Sequence, residues 1–174
     1  LNPTVFTADI EFAGQVVKLN VTDPVITAGV SIKKTGYAQT MNNNIMRWTV
    51  SGVRNDSTTS LQSFYWRDTL PTDAVRLTRL VTGTYSTTQT YKVTFTTNLN
   101  SQWRTAYDNL STAKNYTLDM SSAALGLASN EYVTQFMLSF GIVPAGFHQL
   151  TNATVDAQTL YALTNGYKFT NKAD

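Results

Sequence analysis

The sequence predicts an all-β fold: an immunoglobulin-like β-sandwich with a short helix in a 98–130 insertion and a β-hairpin at its N-terminal end. Three observations carry that expectation. Threonine is the commonest residue at 29 positions, and with 14 valines, 9 tyrosines and 8 phenylalanines the 174-residue chain favours extended backbone. Apolar residues alternate with polar ones at period two over many short runs. Turn-forming Asn, Gly and Pro residues separate those runs at short, regular intervals, which suits a sandwich rather than a βαβ fold.

The first run places Phe6, Ala8, Ile10 and Phe12 on one parity, turns at Ala13-Gly14, and continues with Val17, Leu19 and Val21, which reads as a hairpin. Thr22-Asp23-Pro24 breaks it, because proline donates no ladder hydrogen bond and pushes its predecessor toward extended or turn backbone. The boundary that follows divides residues 1–29, an extra hairpin or the end of a preceding domain, from a main sandwich over 30–174. Val30, Ile32 and Lys34 share a parity up to Thr35-Gly36. After a turn at Asn42–Asn44 come Met46, Trp48 and Val50, then the polar stretch Arg54–Ser60. Phe64, Trp66, Asp68 and Leu70 form the next inward row, stopped by Pro71. Further strands are expected over Val75–Thr82, at Tyr91, Val93 and Phe95, over Tyr132–Val143, and over about Thr159–Leu163 and Tyr167–Ala173, on either side of Asn165-Gly166. Trp103, Ala106, Tyr107 and Leu110 fit helical spacing behind a Ser101 cap, so a helix is expected over Ser101–Leu110, with a second helical turn near Ser121–Leu127 weakened by Gly126.

Composition narrows the function classes. With no cysteine there is no disulfide or thiolate metal site, and with one histidine, His148, there is no two-histidine zinc site. His148 lacks a Gly-x-Ser-x-Gly elbow, and the chain has no phosphate-cradling loop, dinucleotide fingerprint or calcium-loop spacing, so no cofactor is implied and a non-enzymatic role is expected. The 13 basic residues are scattered, giving a net charge of +2 and no nucleic-acid stripe. No apolar run approaches the roughly 20 residues that span a bilayer as a helix. The start at Leu1, without a methionine or a leader, reads as an excised fragment or mature segment.

Three polar residues interrupt the inward rows. Lys34 follows Val30 and Ile32, Asp68 follows Phe64 and Trp66, and Asn171 follows Tyr167 and Phe169. A charge or amide facing a core must pair, neutralise or react. Burial drives a lysine toward its neutral amine and an aspartate toward its protonated acid. Such an amine can attack the asparagine side-chain carbonyl, polarised by the acid, with ammonia leaving and a Lys–Asn isopeptide bond remaining. Each residue also has a plainer role: Asp68 as a turn cap, Asn171 as a satisfied core amide or frayed end, Lys34 as a side chain reaching out from a strand edge. Glu131 is the substitute acid if Asp68 faces solvent. Trp48, Trp66 and Trp103 offer either core packing or a sugar-stacking platform.

The runs Lys34-Thr35-Gly36, Trp66-Arg67-Asp68-Thr69-Leu70-Pro71 and Phe169-Thr170-Asn171-Lys172-Ala173-Asp174 resemble conserved-repeat, immunoglobulin-like domains of sortase-anchored Gram-positive surface proteins. Those domains are similar to the Cna-type modules of adhesins and pilins. The resemblance covers about Val30 to Asp174 and implies a first-strand lysine joined to a last-strand asparagine beside an acid, which matches Lys34, Asn171 and Asp68. It further implies an extracellular, cell-wall-associated stalk or adhesin module, monomeric, whose partners are the neighbouring domains of the same surface protein. The alternative is a glycan- or matrix-protein-binding module that uses exposed aromatics and the Asn98–Asn130 insertion.

Overall fold

The computed structural model describes residues 11–12, 15–16, 30–38, 44–160 and 171–174. In the N-terminal stretch, β1 (Glu11–Phe12) pairs antiparallel with β2 (Gln15–Val16), and the turn expected at Ala13-Gly14 lies outside the described residues. The remaining strands are β3 (Val30–Ala38), β4 (Ile45–Asn55), β5 (Leu61–Thr69), β6 (Val75–Val81), β7 (Thr84–Tyr85), β8 (Thr90–Thr97), β9 (Arg104–Ser111), β10 (Thr117–Asp119), β11 (Val133–Val143), β12 (Gln149–Thr151), β13 (Ala153–Thr159) and β14 (Lys172–Ala173). The described residues contain no helix.

Ten of these strands build a sandwich of two five-stranded antiparallel sheets. Sheet I runs β10-β6-β13-β4-β3 and sheet II runs β14-β5-β11-β8-β9. One core lies between them: Trp48, Val50, Leu77, Leu80 and Val155 come from sheet I, and Phe64, Trp66, Val93, Phe136 and Leu138 from sheet II. Trp66 meets Phe136 edge to face at 5.7 Å and donates its indole N–H to Tyr85 Oη at 3.0 Å. A second aromatic knot of Phe64, Tyr85, Tyr91, Phe140 and Phe147 fills one end, with Tyr85 and Phe147 stacked at 5.7 Å.

Alternation in β4 changes phase at Gly52, whose φ of +69° gives β4 an extra residue against β3. The inward row therefore reads Trp48, Val50, then Val53 and Asn55.

The expected helix over 101–110 is a strand instead. Tyr91 pairs with Leu110 and Val93 with Tyr107, so β9 spends three residues where β8 spends two, and Asn109 sits at φ 57°. That bulge puts Tyr107 and Leu110 on one face three residues apart, the spacing a helix would also produce. At 121–127 a single turn forms, with Leu125 N–H donating to Ser121 O and Leu127 N–H to Ser122 O, and Gly126 is at φ +68°. β3 continues past Gly36 to Ala38. β13, which ends at Thr159, lies in the centre of sheet I, and the strand expected over about Thr159–Leu163 falls, from residue 161 on, outside the described residues. The Asn165-Gly166 turn, Tyr167 and Phe169 lie outside the described residues.

Candidate functional site

The site forms where, among the described strands, an edge of each sheet lies. β3 is the edge of sheet I and β14 the edge of sheet II. Lys34 lies opposite Val50 on β4 and points inward, whereas its neighbours Lys33 and Thr35 are exposed. Asp68 stands on β5, held on one side by Phe136 of β11 and on the other by Ala173 of β14. Its neighbours on the same face, Phe64, Trp66 and Leu70, are core residues, and Asp68 itself is 0% exposed. The inward parity read for both residues is thus the one they occupy.

Across the gap between the sheets, Lys34 Nζ approaches Asp68 Oδ2 at 2.6 Å. The same ammonium lies 5.5 Å from the centroid of the Trp48 ring, which walls the site. Burial pushes the Lys34 pKa below its ordinary value, more than the Asp68 carboxylate and the more distant Asp174 push it back. Burial likewise raises the Asp68 pKa against the opposing effect of Lys34. Both shifts run toward the uncharged forms, a neutral amine beside a protonated acid.

Asn171 completes the group. It precedes β14, whose Lys172 pairs with Thr69, so Asn171 and Ala173 share the inward parity while Lys172 is exposed. The Asn171 carboxamide faces Asp68 closely enough to offset part of the upward push on its carboxyl. The approach nevertheless lacks hydrogen-bond geometry. Among the described residues, Asn171 Oδ1, Asn171 Nδ2 and Asp68 Oδ1 are all buried without a hydrogen-bond partner.

Asn55 shows what a structural buried asparagine looks like in this fold. Its Nδ2 donates to Thr59 O at 3.0 Å and Pro144 O at 2.9 Å, and its Oδ1 accepts from the Ser57 N–H and hydroxyl. Native interiors leave few polar atoms bare, so three in one cluster beside a short amine–carboxyl contact mark a chemically unusual place.

The chain end is fixed by a feature that alternation did not bring out. The Arg67 N–H donates to Asp174 O at 2.6 Å, and the Asp174 N–H to Arg67 O at 2.8 Å. The Arg67 guanidinium also grips the Asp174 carboxylate through two bonds of 3.0 and 2.5 Å on the outer face of sheet II. The one sequence signal for it is opposite charge on outward parities of two strands that both end near the site.

The other candidates lie elsewhere. Glu131 accepts from Thr97 Oγ1 at 2.7 Å and Arg104 at 2.5 Å, which lowers its pKa, and the condition for its substitution fails because Asp68 faces the core. His148 is exposed, with Nδ1 2.9 Å from Gly146 O. Trp48 and Trp66 are core residues, and Trp103 is 39% exposed. No described group of three His, Cys, Asp or Glu residues is placed to hold a metal.

Comparison with protein-family models, with curated proteins and with solved structures returns no match.

Proposed function

We propose that this chain is a structural module of an extracellular surface protein, a stalk or adhesin segment, stapled by an autocatalytic bond between Lys34 and Asn171. The observation that carries the reading is the juxtaposition of the 2.6 Å Lys34–Asp68 contact with an Asn171 carboxamide that is buried and, among the described residues, unpartnered.

The chemistry balances within the three side chains. The neutral Lys34 amine adds to Asn171 Cγ while the Asp68 proton is donated to the carboxamide oxygen. The carboxylate then takes a proton from the new C–N nitrogen and passes it to the departing nitrogen, and as ammonia leaves and the carbonyl re-forms, the O–H proton returns to Asp68. One amine and one carboxamide become one secondary amide and one ammonia, and Asp68 ends as it began. Fixing the reactants in a packed interior removes the translational cost of bringing them together. By analogy with loop closure by a disulfide, a ring running from residue 34 to residue 171 adds up to roughly 5 kcal/mol.

Function follows from where the staple falls. Tension entering through β3 and leaving through β14 would otherwise peel two edge strands from the sandwich. A covalent bond between those edges carries the load around the fold. The proposed setting is the cell wall of a Gram-positive bacterium, with neighbouring domains as partners and no catalytic turnover.

Pulling the chain by its ends in a single-molecule force experiment tests this. The expected result is that residues between 34 and 171 never extend, and that Lys34→Ala restores their contour length. Full extension of the unsubstituted chain overturns the reading.

A further inference from the structure

The outer face of sheet II, the side of the sheet turned away from the staple, carries a groove of about 800 Å³. Its floor follows from register: Ser139 lies between Tyr65 and Lys92, and Met137 between Arg67 and Thr94, with Thr105 beyond Thr94. Tyr65 on β5 and Trp103 ahead of β9 stand at opposite corners, three strand spacings or about 14 Å apart across the sheet and about four residues, roughly 13 Å, apart along it. Trp103 is the only tryptophan among the exposed large apolar side chains, at 39%.

Backbone irregularities gather at the same groove. Ser63 lines it at φ 54°, and Gly141 lines it at φ 71° beside two register shifts in β11. Asp108, also in the lining, precedes the Asn109 bulge. Bulges and left-handed non-glycine residues re-aim side chains and cost energy, so their concentration around one concavity points to a binding role.

The chemistry of the lining selects the ligand. Trp103 and Tyr65 supply two separated aromatic rings, the latter with the Arg67 guanidinium over one face at 6.0 Å, and Thr105 and Ser139 supply hydroxyls between them. Asp174 already neutralises Arg67, and Lys92 and Asp108 balance each other in charge. A groove with no net charge and an amphipathic lining suits a polyhydroxylated ring system with apolar C–H faces. We infer that the outer face of sheet II binds a short neutral oligosaccharide, one sugar on Trp103 and another toward Tyr65.

Saturation-transfer NMR and tryptophan fluorescence with the whole chain test the inference. The probes are neutral trisaccharides of glucose, galactose and N-acetylglucosamine, with a sialylated trisaccharide and chondroitin sulfate as anionic competitors. Saturable binding of at least one neutral probe is expected, weakened about tenfold or more by Trp103→Ala and by Tyr65→Ala. Trp103→Phe, which keeps a ring, retains most of the affinity, and circular dichroism checks that each variant folds. Lys34→Ala leaves binding unchanged, so failure of the staple and failure of the groove are separately visible. Absence of binding to every neutral probe, preference for the anionic ones, or binding indifferent to Trp103→Ala overturns the inference.

Discussion

Lys34 and Asp68 form a pair whose proton count matters more than either charge. The reactive arrangement, neutral amine beside protonated acid, holds one proton in total, as does the ion pair. Crosslinking should therefore have a bell-shaped pH dependence. At low pH the pair gains a second proton and the amine is no longer nucleophilic. At high pH the last proton leaves and nothing polarises the carbonyl. Time-resolved mass spectrometry of chain refolded at a series of pH values reads the two limbs. Asp68→Asn should slow the reaction by roughly 10²–10⁴-fold, the usual contribution of a positioned proton donor.

Without the bond, the same two shifts govern stability. In Asn171→Ala the Asp68 pKa is raised over its unfolded value, so the native state holds the extra proton and stability falls as pH rises through that window. The Lys34 pKa is lowered, so stability climbs again as pH rises from that lowered value toward the ordinary lysine range, and levels off once the unfolded chain's lysine also gives up its proton. Denaturant midpoints of Asn171→Ala against pH should show this trough between the two windows. The inward parity of both residues was readable because the alternation around them is unbroken. The bare carboxamide of Asn171 was not, since hydrogen-bond satisfaction depends on groups from other strands.

Strands β14 and β13 show how elements position these groups. β14 contributes only Lys172 and Ala173, yet it is fastened by the Arg67–Asp174 backbone pair and by their side chains. Loosening that grip should shift Asn171 relative to Asp68. Arg67→Met and Asp174→Asn are expected to slow crosslinking several-fold, with faster hydrogen exchange at the 172–174 amides. Unchanged rates would show that β14 needs no clamp.

β13 escaped prediction because its inward row, Ala153, Val155 and Ala157, is small and weakly apolar. What locates it is on the outer face of sheet I, where Asp156 meets Arg47 at 2.7 Å and Arg79 at 2.7 Å. Burial raises the Asp156 pKa, but the hydrogen bonds and charges of both arginines outweigh it and hold the carboxyl below its ordinary value. That stabilisation is present above the unfolded pKa and is lost as pH falls through the lowered one. Asp156→Asn should flatten this acid limb in thermal melts. β9 presents the opposite case: a bulge gives a strand the apolar spacing of a helix.

Gly83 links β6 and β7 at φ +73°, and a Cβ there would collide with the Thr151 carbonyl oxygen on the neighbouring β12. Gly83→Ala is expected to cost at least about 1 kcal/mol in denaturant unfolding through backbone strain and displacement of that strand.

For the whole molecule, the sandwich was legible from composition, alternation and turn spacing, because those features report which side of each strand is buried. Which strands become edges was not, since pairing order is a long-range property. Yet it is the edge positions of β3 and β14 that give the Lys34–Asn171 pairing its mechanical meaning. A cysteine-free chain can in this way gain a covalent brace across its two sheets without an oxidising compartment.

The most direct test is the intact mass of the denatured chain. The account predicts a mass lower than that calculated from sequence by one ammonia, with Lys34→Ala and Asn171→Ala each at their full calculated mass. Full calculated mass for the unsubstituted, folded chain would contradict it.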